Sequence, residues 1–247
     1  MRSPLRDGRS CSDGQVQATM KADGEWRFAI GAGGSAARGN SSSTSINVSG
    51  QAVRATSYDK IDISGRGLYT KSEGNTTAEN AALAAQYNRD FTPRFFSFGK
   101  IDALRDEPAN ISSRWSLFGG VGQHVIKTDT TTWDVSAGVG YTRDSYVAAT
   151  VVSDELRSTY GRVEGLLAEE STHKLTATTS FHQKLTVYPN LRETSNVRAV
   201  FDTGVSVAMT SKLALTAGLT YRYDNDPGTG LKKGDTLFVT GIQYKLD

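Results

Sequence analysis

The chain has one cysteine, Cys11, in 247 residues. An intrachain disulfide and a four-cysteine zinc site are therefore excluded. No stretch approaches the ~20 consecutive apolar residues of a spanning helix, in keeping with a hydrophobic content of 37% and a mean hydropathy of -0.40. That rules out a helical membrane protein and leaves a membrane β-barrel open, because barrel strands place only alternate residues in lipid. Prolines number only five. Proline removes a ladder donor, so its scarcity suits long paired strands. Charge of one sign is also lacking: 28 Lys and Arg face 26 Asp and Glu, for a net charge of +2. With no block of like charge there is no electrostatic footprint for nucleic acid, and no such partner is expected. An export leader carries an apolar core of ~7–15 residues, and residues 1–25 hold basic residues without one. Three readings follow, a leader lying outside this sequence, a misplaced start codon or a protein that is not exported, and the first two are favoured.

What is present is alternation. In residues 131–143, Trp133, Val135, Ala137, Val139 and Tyr141 fall on one face, and Thr132, Asp134, Ser136, Gly138 and Gly140 on the other. Successive strand side chains point to opposite faces, so this segment reads as a strand with one apolar and one polar side. The pattern recurs in twelve segments, at about 25–37, 44–55, 60–71, 78–89, 94–104, 112–126, 131–143, 158–168, 174–188, 196–209, 213–223 and 235–246, with boundaries good to about three residues. Residues 1–24, rich in Ser, Asp, Gly and Arg, read as a flexible polar tail, and residues 25–247 as one domain.

Two regularities favour closure. The strand count is even, as in single-chain bacterial barrels, and short turns alternate with longer loops along much of the chain. Short turns are expected at 56–59, 92–93, 127–130, 170–173 and 210–212. The stretch 144–157 fits least well; its apolar part, 147–152, either extends a strand or covers a barrel mouth. The fold class expected is all-β, a single transmembrane antiparallel barrel of about twelve strands.

Several segments resemble a known family: a first strand ending in a Gly-Asn turn (31–40), the stretch 87–91 before Phe95, Phe96 and Phe98, the run Thr-Thr-Thr-Trp-Asp-Val-Ser-Ala-Gly-Val-Gly at 130–140, and above all Thr-Tyr-Arg-Tyr-Asp, Lys-Lys-Gly-Asp-Thr and Gly-Ile-Gln-Tyr between 220 and 244. Over roughly residues 26–246 the chain resembles the domain of unknown function 481 family, the salt-induced, YdiY-like outer membrane proteins. The resemblance implies an outer membrane barrel of unassigned activity, linked to salt or osmotic stress. Its partners would be outer membrane lipid, lipopolysaccharide and the barrel-assembly machinery. Barrels of this kind usually end on an aromatic residue; here Tyr244 precedes Lys245, Leu246 and Asp247.

The polar faces carry Lys60, Asp62, Arg66, Lys100, Asp102, Arg114, Asp134, Arg162, Glu164, Arg198, Asp202 and Arg222, all opposite apolar positions. These would line a pore and tune its selectivity. The favoured alternative is that they pair across strands and fill the lumen, since unpaired buried charge is costly. Both signs occur in similar numbers, which argues against strong ion selectivity. Twelve strands lie between the side-chain-filled eight-stranded barrel and the sixteen-stranded channel, so a narrow or partly blocked lumen is expected. Trp26, Phe95, Phe96, Trp115, Trp133, Tyr141, Tyr221, Tyr223 and Tyr244 are candidates for the aromatic belts at the membrane interfaces.

No paired-carboxylate, zinc-ligand or nucleophile-elbow pattern is present, and no cofactor is expected. A lipid-active enzyme would need His124 or His182 beside a serine and a carboxylate at the rim; Ser180 shares a face with His182, and His173 falls in a short turn. A soluble β-barrel or sandwich is the second rival, in which the apolar stripe would be a core.

Overall fold

The computed structural model describes residues 22–38, 43–72, 75–193, 195–228 and 230–246; most of the expected tail, residues 1–21, lies outside them. Twelve strands run in chain order: β1 (Trp26–Arg38), β2 (Ser43–Ala55), β3 (Asp59–Ser72), β4 (Asn75–Asp90), β5 (Phe95–Asp106), β6 (Ile111–Lys127), β7 (Thr131–Val152), β8 (Glu155–Lys174), β9 (Thr179–Pro189), β10 (Val197–Ala208), β11 (Leu213–Asp224) and β12 (Gly234–Leu246). Each pairs antiparallel with its chain neighbours, and β1 pairs β12 with Ile30 opposite Tyr244, which closes the sheet. Closure leaves no unpaired edge, the condition for placing a sheet in hydrocarbon.

Period-two alternation aims the apolar stripe outward. Ile46, Leu83, Leu117 and Val139 are 70%, 63%, 63% and 60% exposed, and Phe28, Ile30, Trp115, Leu167 and Ile242 join them. An apolar band this extensive is far beyond what a soluble monomer leaves in water. The outward stripe is a lipid-facing surface, and the barrel is transmembrane.

One end of the barrel is built from five short turns with a common device. Thr56, Thr92, Thr128, Thr176 and Thr210 each accept a backbone N–H three residues on, at 3.0, 3.0, 3.0, 2.9 and 3.0 Å. The backbone N–H of each donates in turn to the carbonyl of that same residue, at 2.8 to 3.2 Å. The hydroxyl thus mimics a backbone turn acceptor. This device moves one expected boundary. The turn expected at 170–173 lies instead at 175–178, where Thr176 supplies the acceptor. β8 therefore runs to Lys174, and His173 is in that strand rather than in a turn.

The other end carries the long connections 190–196 and 225–233, but the stretches 72–77 and 144–157 expected as loops are mostly strand, β3 and β4 being separated by two residues and β7 and β8 likewise. Residues 147–152 continue β7 across a register shift between Ser145 and Thr150. Ser153 and Asp154 turn the chain with φ of 52° and 61°, the backbone of a two-residue hairpin turn with both central residues left-handed. The tip of this hairpin leans on neighbouring loops. Ser153 N–H donates to Asp226 at 2.8 Å, and Ser153 Oγ donates to Glu193, which also accepts from Tyr160 Oη at 2.5 Å. Val152 and Tyr160 are buried. Residues 147–152 thus both extend a strand and help cover the mouth.

Inside, aromatic rings lie across glycines of adjacent strands. A Cβ on Gly122 would meet the Phe96 ring at 2.2 Å, and one on Gly140 would meet Phe118 Cδ1 at 2.2 Å. Phe96, Phe98, Phe118, Leu166 and Tyr188 form one buried cluster on this wall. Phe96, expected in an interface belt, is thereby corrected to a lumen residue. It shares β5 parity with Phe98 and Lys100, and Gly122 leaves the space its ring fills. Trp26, Phe95, Trp115, Trp133, Tyr141, Tyr221 and Tyr244 are exposed on the outer face, whereas Tyr223 is half-buried and borders the outer lumen cavity. Trp26, Phe95, Trp133 and Tyr244 sit near the short-turn end, and Trp115, Tyr141, Tyr221 and Tyr223 towards the long-loop end. Trp133 Nε1 donates to Glu169 Oε2 at 2.9 Å, the polar handle that an amphipathic ring uses at a boundary.

Candidate functional site: the charged lumen

All twelve charged candidates point inward and line one of three lumen cavities, of about 380, 310 and 100 Å³ from the short-turn end to the long-loop end. The strands deliver them at alternate positions. β3 supplies Lys60, Asp62 and Arg66; β5 supplies Lys100 and Asp102; β8 supplies Arg162 and Glu164; β10 supplies Arg198 and Asp202. Arg114, Asp134 and Arg222 come singly from β6, β7 and β11.

The densest network lies towards the long-loop end. Arg114 grips Asp144 with two hydrogen bonds, Nε to Oδ1 at 2.5 Å and an Nη2 contact of 2.7 Å to Oδ2. Arg162 donates to Asp144 at 2.9 Å and to Glu164 at 3.0 Å. Arg198 holds Glu164 through two further bonds at 3.0 and 2.7 Å. Asp144 and Glu164 are essentially inaccessible, at 0% and 1% exposure. Such carboxylates stay in a buried site only because several guanidinium donors satisfy their oxygens. The Arg162 and Arg198 guanidiniums also sit over the Tyr160 and Tyr188 rings, 5.2 and 5.0 Å from the centroids. Across the barrel, Arg222 of β11 donates to Asp106 of β5 at 3.0 Å, and Asn80 donates to the same carboxylate at 2.8 Å.

The central cavity spans the barrel between ten strands. Among the described residues six cations line it, Arg66, Lys100, Arg114, Lys184, Arg198 and Arg222, against two carboxylates, Asp102 and Asp202. The short-turn cavity has the opposite bias. Its carboxylates are Asp59, Asp62, Asp90, Asp129, Asp134 and Glu170, and its cations are Lys60, Lys100, Lys127 and Lys184. The similar totals of the two signs conceal a segregation along the axis. The two larger cavities adjoin at Ser64, Ala84, Lys100, Lys184 and Thr186, which line both. Lys100 pairs with Asp102 at 3.1 Å and lies 3.5 Å from the Tyr188 hydroxyl; Lys184 pairs with Glu170 at 3.0 Å.

At the short-turn end His124 bridges two carboxylates. Its Nδ1 is 2.7 Å from Asp134 and its Nε2 3.4 Å from Asp90, and its ring packs on Phe96. His182 points inward, its ring lying where a Cβ on Gly204 would be, 2.5 Å from Cε1. Sequence reasoning missed Asp106, Asp144, Glu170, Lys184 and Tyr188. The first two border connections where face parity was ambiguous. Glu170 was assigned to a turn. Lys184 and Tyr188 share parity with His182 and were within reach of the same alternation argument.

No curated protein matches the sequence. Among solved structures, the NanC porin superposes with a TM-score of 0.53 at 10% identity, over 89% of this chain and 100% of that one. The KdgM porin, solved in complex with disordered oligogalacturonate, gives a TM-score of 0.48 at 9% identity, over 89% of this chain and 99% of that chain. The NanC likeness concerns the fold, a closed barrel. The family described as "Protein of unknown function, DUF481" matches residues 30–246, nearly the whole barrel, and the chain belongs to that family.

Proposed function

We propose that this protein is an outer membrane barrel acting as a narrow passive channel for water and small solutes. The observation that carries this reading is the succession of cavities along a lumen walled by charged side chains, inside a closed barrel with an apolar exterior. A lumen built only as filler would gain nothing from cavities of 310 and 380 Å³, since voids forfeit packing contacts. Lipid, lipopolysaccharide and the barrel-assembly machinery are the partners this placement entails. A role in salt or osmotic stress follows from the family resemblance and suits a passive pore, because such a pore equilibrates solutes across the outer membrane. The test is single-channel recording of the refolded full chain in planar bilayers. Discrete conductance steps are expected. A barrel that is folded, as heat-modifiable gel migration reports, yet electrically silent would refute the channel. Lipid hydrolysis by the wild-type barrel, lost in His124→Ala or His182→Ala, would favour an enzyme instead.

A further inference from the structure

We infer that the central lumen cavity is a binding station for an anionic solute, one bearing carboxylate or phosphate groups; the inference rests on the channel reading and gives it a substrate class. The argument starts from the placement of countercharges. Arg114, Arg198, Arg222 and Lys184 each pair with a carboxylate, but their partners Asp144, Glu164, Asp106 and Glu170 do not line the central cavity. The first three line the outer cavity and Glu170 lines the short-turn cavity. These cations sit at the boundaries, Arg114, Arg198 and Arg222 lining the outer cavity as well and Lys184 the short-turn cavity, while their acids face only the ends; Asp102 and Asp202 are the only carboxylates in the described lining of the middle.

Low-dielectric walls strengthen the field of such an excess and concentrate counter-ions in it. Guanidinium forks match the geometry of oxyanions, and an ammonium adds a compact point charge. Neutral donors supplement them. The Tyr188 hydroxyl borders the cavity beside Lys100. Asn47, on the β2 side, has a buried amide nitrogen with no hydrogen-bond acceptor. An entering oxyanion brings acceptors to this donor-rich lining. A cation would meet a predominantly cationic lining there, and a neutral sugar would not draw on the charge of the guanidinium and ammonium donors that border it. The volume of about 310 Å³ suits a small organic acid or a phosphorylated metabolite of similar size.

The test uses the full chain refolded in detergent, titrated with sodium citrate, and separately with sodium phosphate, against sodium chloride at matched ionic strength. The thermal unfolding midpoint is read. An anion that binds the folded barrel raises this midpoint. At least one of the two is expected to do so, and which one does separates carboxylate from phosphate as the preferred group. The double variant Arg66→Gln/Lys184→Gln is expected to weaken the effective anion's affinity roughly tenfold or more, from the loss of two charge-assisted contacts. Asp202→Asn is expected to strengthen it, and carries the test should the double variant fail to fold. No midpoint shift with either anion, or equal shifts in all three proteins, overturns the anion station. Bilayer recordings on the same preparations separate this from the channel reading. Conductance without anion binding keeps the channel and removes the station, whereas anion binding without conductance does the reverse.

Discussion

Replacing Glu164 by glutamine tests whether the buried ion network holds the barrel together. The side chain is 1% exposed and accepts hydrogen bonds from Arg198 at 3.0 and 2.7 Å and from Arg162 at 3.0 Å. Glu164→Gln preserves shape but removes the charge, and turns one acceptor into an NH2 group facing guanidinium donors. Breaking a buried pair on one side costs about 3–5 kcal/mol, because the remaining charge stays desolvated. Arg162 keeps Asp144 as a partner at 2.9 Å, so the lower end, about 3 kcal/mol, is expected. The assay is urea unfolding of the barrel in detergent, read by heat-modifiable gel migration. Lys127→Ala is the control, since Lys127 is 55% exposed and its pair with Asp90 lies at the rim; there the cost should stay below about 1 kcal/mol. Glu164→Leu combined with Arg198→Leu should cost less than Glu164→Gln alone, because both charges leave together. A Glu164→Gln midpoint indistinguishable from the Lys127→Ala control would show that the network is solvated and the reasoning wrong.

Phe118→Ala removes a ring at the centre of the lumen cluster and opens space beside the central cavity. It should cost about 3–5 kcal/mol, and in bilayers it should raise unit conductance; unchanged conductance would place the limiting constriction elsewhere. Gly140→Ala would bring a Cβ to 2.2 Å from Phe118 and 2.3 Å from the Leu117 carbonyl. Overpacking of this kind costs about 1–3 kcal/mol, and a neutral effect in the same unfolding assay would contradict the ring-on-glycine packing. Thr176→Ala removes the turn acceptor and should cost about 0.5–1.5 kcal/mol, with Thr176→Ser retaining most of the stability. The hairpin tip should loosen in acid. Burial alone would raise the pKa of Glu193, but the donors Ser153 and Tyr160 and the charge of Arg157 outweigh it and hold the carboxyl below its usual range. A depressed carboxylate stabilises the fold above its unfolded pKa, and that contribution is lost as pH falls through the lowered value. The Ser153 N–H is held by Asp226, so its exchange reports opening of the tip as a whole: it should quicken in acid, beyond its intrinsic pH trend, in the wild type, and in Glu193→Gln it should be faster than wild type at neutral pH with a smaller acid response.

The strands, their faces and closure into a barrel were legible because alternation is a local property. A residue two places from Trp133 shares its face whatever the rest of the chain does. All twelve charged candidates could be assigned inward on that ground. Phe96 was within reach of the same argument, since it shares parity with Lys100; its aromatic ring at a strand start suggested a belt instead, and the structure shows Gly122 on the next strand leaving the space that the ring fills. The turn at 175–178 was misplaced because one threonine among several shows its role only once its hydroxyl is seen to accept the Thr179 N–H. By itself the sequence determined the secondary structure, the lipid-facing stripe and the stock of lumen charges. Tertiary structure decided how that stock is spent. Strand register sets the height of each side chain along the axis, so it alone draws Asp106, Asp144 and Glu164 towards the long-loop end and leaves cations in excess at the centre.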